Sequence, residues 1–159
     1  MKRTLLSALL LCLAGTAVAA DGNLAKADKS VGKVLDTLGY NYEVDEDGDY
    51  KLLFDTEDDR SQLLYVRSFV TDYDGQKIRE IWSPGYQSPT SNFPAGVANR
   101  LLESSHLAKL GAWVKQGDTA MFVVKIPADA SAVVLSHAID AAYVTADAME
   151  FELTSQDDF

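Results

Sequence analysis

The sequence predicts an α+β fold, an antiparallel β-sheet packed with helices in the order α-β-β-β-β-α-β-β-α. Three observations predict it. Apolar residues recur at spacings of three and four near both ends of the chain and once in its middle. The segments between those regions alternate apolar and polar residues with period two. Turn dipeptides, Asp47-Gly48, Asp74-Gly75 and Gly117-Asp118, sit between the alternating runs. Runs of strands separated by single helices, without a βαβ period, call for an antiparallel sheet rather than a doubly wound one.

Leu24, Ala27, Val31, Val34, Leu35 and Leu38 repeat at helical spacing with charged residues between them, and Gly39 stands where a left-handed C-terminal cap is needed. Gly32 inside this helix costs about 1 kcal/mol relative to alanine. Tyr40, Tyr42 and Val44 then alternate with polar residues as a first strand, and Tyr50, Leu52 and Phe54 as a second across the Asp47-Gly48 turn. Residues 63–70 are apolar on both faces apart from Arg67 and Ser68, the mark of a central strand. Beyond Asp74-Gly75 a strand runs over residues 77–82, with Ile78 and Trp82 on one face and Ile81 on the other. Residues 83–93 contain Pro84, Gly85 and Pro89 and read as a long loop. Pro94 suits the first turn of a helix capped near Ser91 or Asn92 and carrying Val97, Leu101, Leu102 and His106. Residues 110–115 and 119–126 form a strand pair around Gln116-Gly117-Asp118, and Pro127 ends it. Asp129 or Ser131 caps a last helix bearing Val134, Leu135, Ala138, Ile139, Ala142, Tyr143, Ala146 and Met149; residues 154–159 are a polar, loose tail.

The first twenty residues have a different logic. Lys2 and Arg3 give a positive head, residues 5–14 an uncharged apolar run, and Ala17, Ala19 and Ala20 the small side chains that a signal peptidase requires. The run is too short to span a bilayer. The expectation is a cleaved secretory signal over residues 1–20, with cleavage after Ala19 or Ala20, one domain over residues 21–159, and a periplasmic or secreted location. The single cysteine, Cys12, lies within the signal, and Leu9-Leu10-Leu11 before it replace the small residues of a lipid-anchor site. The mature chain then has no disulfide and no thiolate.

The loss of Lys2 and Arg3 takes the formal charge from −10 to −12. No cluster of Lys or Arg interrupts that acidity, which repels phosphate backbones and anionic membranes alike, so the expectation is no nucleic acid partner and no membrane insertion after cleavage. Basic peptides and cations are the partners the charge permits.

Three segments resemble the YbjN family. They are Leu38-Gly39-Tyr40 with the acidic hairpin Val44-Asp45-Glu46-Asp47-Gly48, Leu101-Leu102-Glu103 running on to Lys109-Leu110-Gly111-Ala112-Trp113, and Ala146-Asp147-Ala148-Met149-Glu150. The resemblance implies the fold of the class I chaperones of type III secretion. It also implies a sensory transduction regulator or protein-binding module without established catalytic residues, and homodimers paired through the middle helix. The chain differs from that family's pattern at Ser104-Ser105-His106, where asparagines are commoner, in a long loop over residues 84–94, and in an export signal that cytoplasmic chaperones lack.

Few constellations carry chemistry. Glu43, Asp45, Asp47 and Gly48 fit the start of a calcium loop, but its twelfth position is Phe54 and Asp55 is one place off. Glu57, Asp58, Asp59 and Arg60 form a charged turn, which serves acid–base catalysis only within a cleft that separates pKa values. His106 and His137 do not have zinc-site spacing. There is no nucleophile elbow, phosphate-binding glycine loop or dinucleotide fingerprint, so no catalytic, metal or cofactor residue is expected. Tyr40, Tyr42, Tyr50, Phe54, Tyr65 and Trp113 sit at core spacing. Trp82, Tyr86 and Phe93 flank the proline-rich loop: Trp82 and Phe93 can simply pin it onto the core, and if the chain has a partner-binding region these three are its candidate residues, because aromatic anchors on long loops are enriched at binding surfaces.

The leading expectation is therefore a non-catalytic exported module that binds a protein or peptide. The alternatives are an enzyme of unfamiliar type, using carboxylates with Arg60 or Arg67 in a cleft, and a structural envelope protein.

Overall fold

The computed structural model describes residues 25–159; the signal reading of residues 1–20, and Leu24 of the first helix, lie outside the described residues. Helix α1 (Lys29–Leu38) is capped by Asp28, whose carboxylate accepts the Ser30 N–H at 2.9 Å, and closed by Gly39 at a left-handed φ of 76°. The N–H groups of Gly39 and Tyr40 return to the carbonyls of Asp36 and Leu35, both at 3.1 Å, the paired bonds of a Schellman end. This end turns the chain before it can join a ladder. Strand β1 is accordingly only Glu43–Val44, shorter than the alternation predicts. Tyr40 packs edge-on against Phe54 at 5.6 Å and Tyr42 against Tyr50 at 5.0 Å, so both rings line a corner outside the strand.

The remaining elements follow in the predicted order: β2 (Tyr50–Asp55), a single turn of 3-10 helix (Glu57–Asp59), β3 (Ser61–Tyr73), β4 (Gln76–Gln87), α2 (Ala95–Leu107), β5 (Ala112–Gln116), β6 (Thr119–Pro127) and α3 (Ala132–Thr154). The six strands form one antiparallel sheet in the order β1-β2-β3-β4-β6-β5. The turn dipeptides act as their chemistry requires: Gly48 and Gly75 take φ of 88° and 81°, with Asp74 at 50°. Pro94 itself is the N-cap of α2, without a side-chain cap bond, whereas Ser131 caps α3 by accepting the Val134 N–H at 3.3 Å.

All three helices lie on one face of the sheet. Val31 and Leu35 of α1, Leu101 of α2, and Leu135, Ile139, Ala142, Ala146 and Met149 of α3 share one core with Leu52, Leu64, Ile81, Phe122, Val124 and Trp113 from the strands. Register confirms that these strand residues face one way: Leu52 lies opposite Leu64, Val66 opposite Ile81, Ile81 opposite Val124, and Phe122 opposite Trp113. Leu35, Leu52, Leu64, Ile81 and Ile139 are fully buried, each contributing about 1.5–3 kcal/mol relative to exposure. The alanines of α3 keep that long helix close to the sheet.

The long loop expected over residues 83–93 is not there. Strand β4 continues through Pro84 and Gly85 to Gln87, paired with β6 on one side, and only residues 88–94 connect it to α2. A proline survives in this strand because its missing N–H would have faced β3, where the two strands no longer pair: the last register partners are Tyr65 and Trp82. Side chains replace the absent ladder bonds. Gln62 donates its amide to the Pro84 carbonyl at 2.7 Å and to Ser83 Oγ at 3.1 Å, and Ser83 Oγ donates to the Leu63 carbonyl at 2.6 Å. The short connection is fixed too: the buried Ser88 donates its backbone N–H to the Asp118 carbonyl at 2.8 Å and its hydroxyl to the Asn92 carbonyl at 2.9 Å.

The C-terminal tail is also not loose. Beyond Ser155, Asp157 accepts the Ser61 N–H at 3.1 Å, and the Asp158 N–H donates to Glu150 at 2.6 Å. Glu150 is fully buried on α3, with Arg60 at 3.6 Å. Burial pushes its carboxyl above the ordinary range, opposed by the Asp158 N–H and by Arg60 and reinforced by Asp157 and Asp158.

Candidate functional site

The helices leave the second face of the sheet uncovered. On it, register places Lys51, Tyr65, Trp82, Val123 and Ala112 in one row across β2, β3, β4, β6 and β5. Leu53 and Leu63 continue as a second row towards Pro84, Met121 and Val114. Leu53 is 64% exposed, Leu63, Tyr65 and Trp82 are half-buried, and Met121 and Val123 are buried. The result is a floor of aliphatic and aromatic side chains with no helix above it, which the C-terminal Phe159 also lines.

Trp82 is held rigidly in that floor. The Arg67 guanidinium lies 4.6 Å from its ring centroid, and its indole N–H donates to Glu80 at 2.8 Å, which in turn pairs with Lys125 at 2.8 Å. Arg67 is itself set by an irregularity: between Val66 and Val70 the β3–β4 register shifts. Asp49 staples this bulge, accepting the Ser68 N–H at 2.6 Å and pairing with Arg67. Ser68 Oγ donates to the Gly48 carbonyl at 2.5 Å and accepts the Asp28 N–H at 3.0 Å, tying the bulge to the start of α1. On the helix side of the same strands, buried Arg79 pairs with Asp28 at 2.5 Å. Burial would raise the Asp28 carboxyl, but hydrogen bonds from Ser30 and the charge of Arg79 hold it below the ordinary value.

The acidic hairpin borders this face. Asp45 accepts the N–H groups of Asp47 and Asp49 at 3.0 and 2.9 Å, so its carboxylate shapes the turn. Among the described residues no three His, Cys, Asp or Glu side chains are grouped to hold a metal ion. Beside the hairpin, Tyr65 has its phenol pushed up by burial and by the charge of Asp45.

Two open grooves mark the face, with volumes of about 590 and 430 Å³. Glu43, Lys51, Leu53, Asp157 and Asp158 line the first, and Asp45, Asp47, Tyr65, Arg67, Trp82 and Met121 line the second. Leu63 and Phe159 belong to both, so the grooves adjoin.

The three expected partner-binding residues are not brought together. Trp82 stands on the uncovered face, opposite Val123. Between Pro84 and Tyr86 the β4–β6 register shifts, and Tyr86 comes to lie opposite Ala120, which belongs to the core on the covered face. One extra residue reverses side-chain parity. Tyr86 packs edge-on against Phe93 at 5.7 Å, both rest against the core, and the Lys115 ammonium sits 5.3 Å from the Phe93 centroid. Gly85 makes the bulge possible at this spot, since a Cβ there would lie 2.5 Å from Trp113 Cη2 and 3.0 Å from the Ala146 carbonyl.

Other candidates are structural in their contacts. Asp58 and Asp59 adopt left-handed φ of 60° and 56° in an exposed turn. Arg60 leaves that turn for α3, where it pairs with Asp147 at 3.0 Å and lies 4.9 Å from the Phe151 ring centroid. His106 and His137 are exposed on α2 and α3. Leu53, Leu63, Tyr65 and Phe159 are the site residues that sequence reasoning missed. The signal for the first three was present, since they break the apolar–polar alternation of strands whose other face already supplies the core.

No family model matches the chain, and no curated protein matches it.

Proposed function

We propose that the exported part of this chain is a non-catalytic protein- or peptide-binding module that docks its partner on the uncovered face of the sheet. The observation that carries this reading is the uncovered floor around a fixed Trp82, which is clamped between Arg67 and Glu80 and therefore presents a pre-organised aromatic surface. An apolar floor that exposes Leu53 has the composition of a contact surface. The resemblance to the YbjN family adds a role as sensory transduction regulator and the chaperone-like fold to the same reading.

The test is affinity capture from the envelope fraction with wild-type protein and three variants. Leu53→Ser and Trp82→Ala each lose a partner that the wild type retains, whereas Tyr86→Ala on the opposite face keeps it. Retention of every partner by both Leu53→Ser and Trp82→Ala overturns the proposal. Leu53 is largely exposed, so its variant removes contact area without removing core.

Export belongs to the same proposal. N-terminal sequencing of the mature protein gives Ala20 or Asp21 as the first residue; an intact Met1 in the envelope fraction contradicts it. A homodimer through the middle helix is favoured by one feature, the exposure of Leu102 at 66% and Leu107 at 68% on α2 with Leu110 at 49% just beyond.

A further inference from the structure

We infer that the partner segment is cationic and extended: a stretch in which lysine or arginine alternates with apolar side chains, laid over the two adjoining grooves. The inference rests on the proposal that the uncovered face is the docking surface, and it adds the chemistry of the occupant.

The lining of the trough is acidic. Glu43, Asp45, Asp47 and Asp49 contribute from the hairpin, and Asp157 and Asp158 from the tail. The cations lining the two grooves are Lys51 and Arg67, and each is already paired, Lys51 with Glu43 at 4.0 Å and Arg67 with Asp49. Among the described residues, Asp45, Asp47, Asp157 and Asp158 have no cationic partner within ion-pair distance. Their negative potential faces a trough with an apolar floor, where the low-dielectric wall strengthens it. An anionic or neutral segment would leave it unbalanced.

Independently of that count, the groove already holds one cation of its own. Arg67 lies with its guanidinium over Trp82 and a carboxylate beside it. A flat aromatic and a neighbouring acid are the two elements that bind an arginine or lysine side chain. Tyr65 and Phe159 line the same groove as Asp45 and Asp47, so further aromatic rings and carboxylates face an incoming chain there.

The shape of the trough suits an extended occupant. Such a segment points successive side chains to opposite sides, at a rise of about 3.4 Å per residue. Apolar side chains can therefore meet Leu53, Leu63 and Trp82, while the intervening lysines or arginines, directed away from the floor, bend their long flexible stems to bring charge to the acidic rim. The overall formal charge of −10 favours encounter with such a segment before contact is made.

The experiment uses the purified protein and two fluorescently labelled probes, the peptide Lys-Leu-Lys-Phe-Lys-Leu-Lys and the same peptide with every lysine replaced by glutamate. Fluorescence anisotropy shows binding of the lysine peptide, weakened by added salt, and none of the glutamate peptide. Asp45→Asn and Asp47→Asn each weaken it about two- to fivefold, the usual range for removing one exposed charge from a pair. The asparagine at 45 keeps an oxygen to accept the hairpin N–H groups, so the variant preserves the turn. Asp129→Asn and Asp140→Asn, exposed residues outside these grooves, leave the affinity unchanged. Equal binding of both peptides, no binding of either, or equal losses in the groove and control variants overturns the inference. If the lysine peptide fails while Leu53→Ser and Trp82→Ala still abolish partner capture, the docking face stands and only the cationic partner is wrong. If those two variants retain every partner, the docking face itself is wrong.

Discussion

Replacing Gly85 by alanine tests the feature that decides which aromatic residue faces which side of the sheet. A Cβ at this position would lie 2.5 Å from Trp113 Cη2 and 3.0 Å from both Trp113 Cζ3 and the Ala146 carbonyl oxygen. Carbon atoms in contact normally sit about 3.5–4.0 Å apart, so ring and helix together must retreat by roughly 1 Å. Neither can do so freely. The Trp113 indole donates to Ser104 at 3.1 Å, its backbone N–H donates to Ser105 at 2.9 Å, and its ring stands edge-on to Phe122 at 5.3 Å. Ala146 belongs to the buried face of α3. Overpacking of this kind costs about 1–3 kcal/mol, and the pinned ring puts this site in the upper half of that range. For a domain of this size the loss corresponds to a fall in Tm of roughly 6–12 °C. Thermal unfolding followed by circular dichroism measures it. Adding Trp113→Leu to Gly85→Ala removes the clash, so the double variant loses at least about 1 kcal/mol less than the sum of the two single losses. A Gly85→Ala protein that melts within about 1 °C of wild type, or strictly additive losses, refutes the close approach of β4, Trp113 and α3.

Three further outcomes follow from named contacts. Gln62→Leu removes the amide that serves Pro84 and Ser83 where β3 and β4 part; losing these donors costs about 1–2 kcal/mol in urea unfolding, moderated because Gln62 Oε1 itself lacks a partner. An unchanged urea midpoint contradicts the substitution of side chains for ladder bonds. Burial raises the Glu150 carboxyl above its ordinary value of 4.5, so the folded chain binds the proton more tightly than the unfolded one, and stability falls as pH rises through the folded pKa. Glu150→Gln is therefore more stable than wild type at neutral pH, with the gap closing as pH falls below the ordinary glutamate value; a gap that widens on acidification refutes the direction. Leu107→Glu abolishes self-association in sedimentation velocity if α2 mediates it, whereas a dimer that survives the substitution excludes that face.

Much of the fold was legible because local chemistry and pattern agreed. Gly39 at the end of α1 and the Asp74-Gly75 turn require backbone conformations that few other residues tolerate, and both occur as the sequence implies; at Asp47-Gly48 only the glycine takes a positive φ, in a longer turn closed between Asp45 and Asp49. The two-faced apolarity of residues 63–70 marked β3 correctly as an interior strand. What escaped detection depends on contacts distant in sequence. Pro84 and Gly85 read as loop residues, yet Gln62, more than twenty positions earlier, supplies the hydrogen bonds that let the strand continue. The extra residue there reverses parity, so Trp82 and Tyr86, four positions apart, end on opposite faces. The tail looked unanchored because its partners, Ser61 and the buried Glu150, cannot be paired with it from polarity alone. Trp82 was read as flanking a loop that the structure replaces with strand, and the face it shares with Leu53, Leu63 and Tyr65 emerges only once the registers are known.

The most direct test of the central claim is nuclear magnetic resonance chemical-shift mapping of the isotope-labelled protein, titrated with a partner segment identified by affinity capture. The perturbed amide and indole signals are expected to cluster on Leu53, Leu63, Tyr65, Trp82 and Phe159 and to leave α2 and α3 unmoved. Perturbations centred on the helices, or on Tyr86 and Phe93, would contradict it.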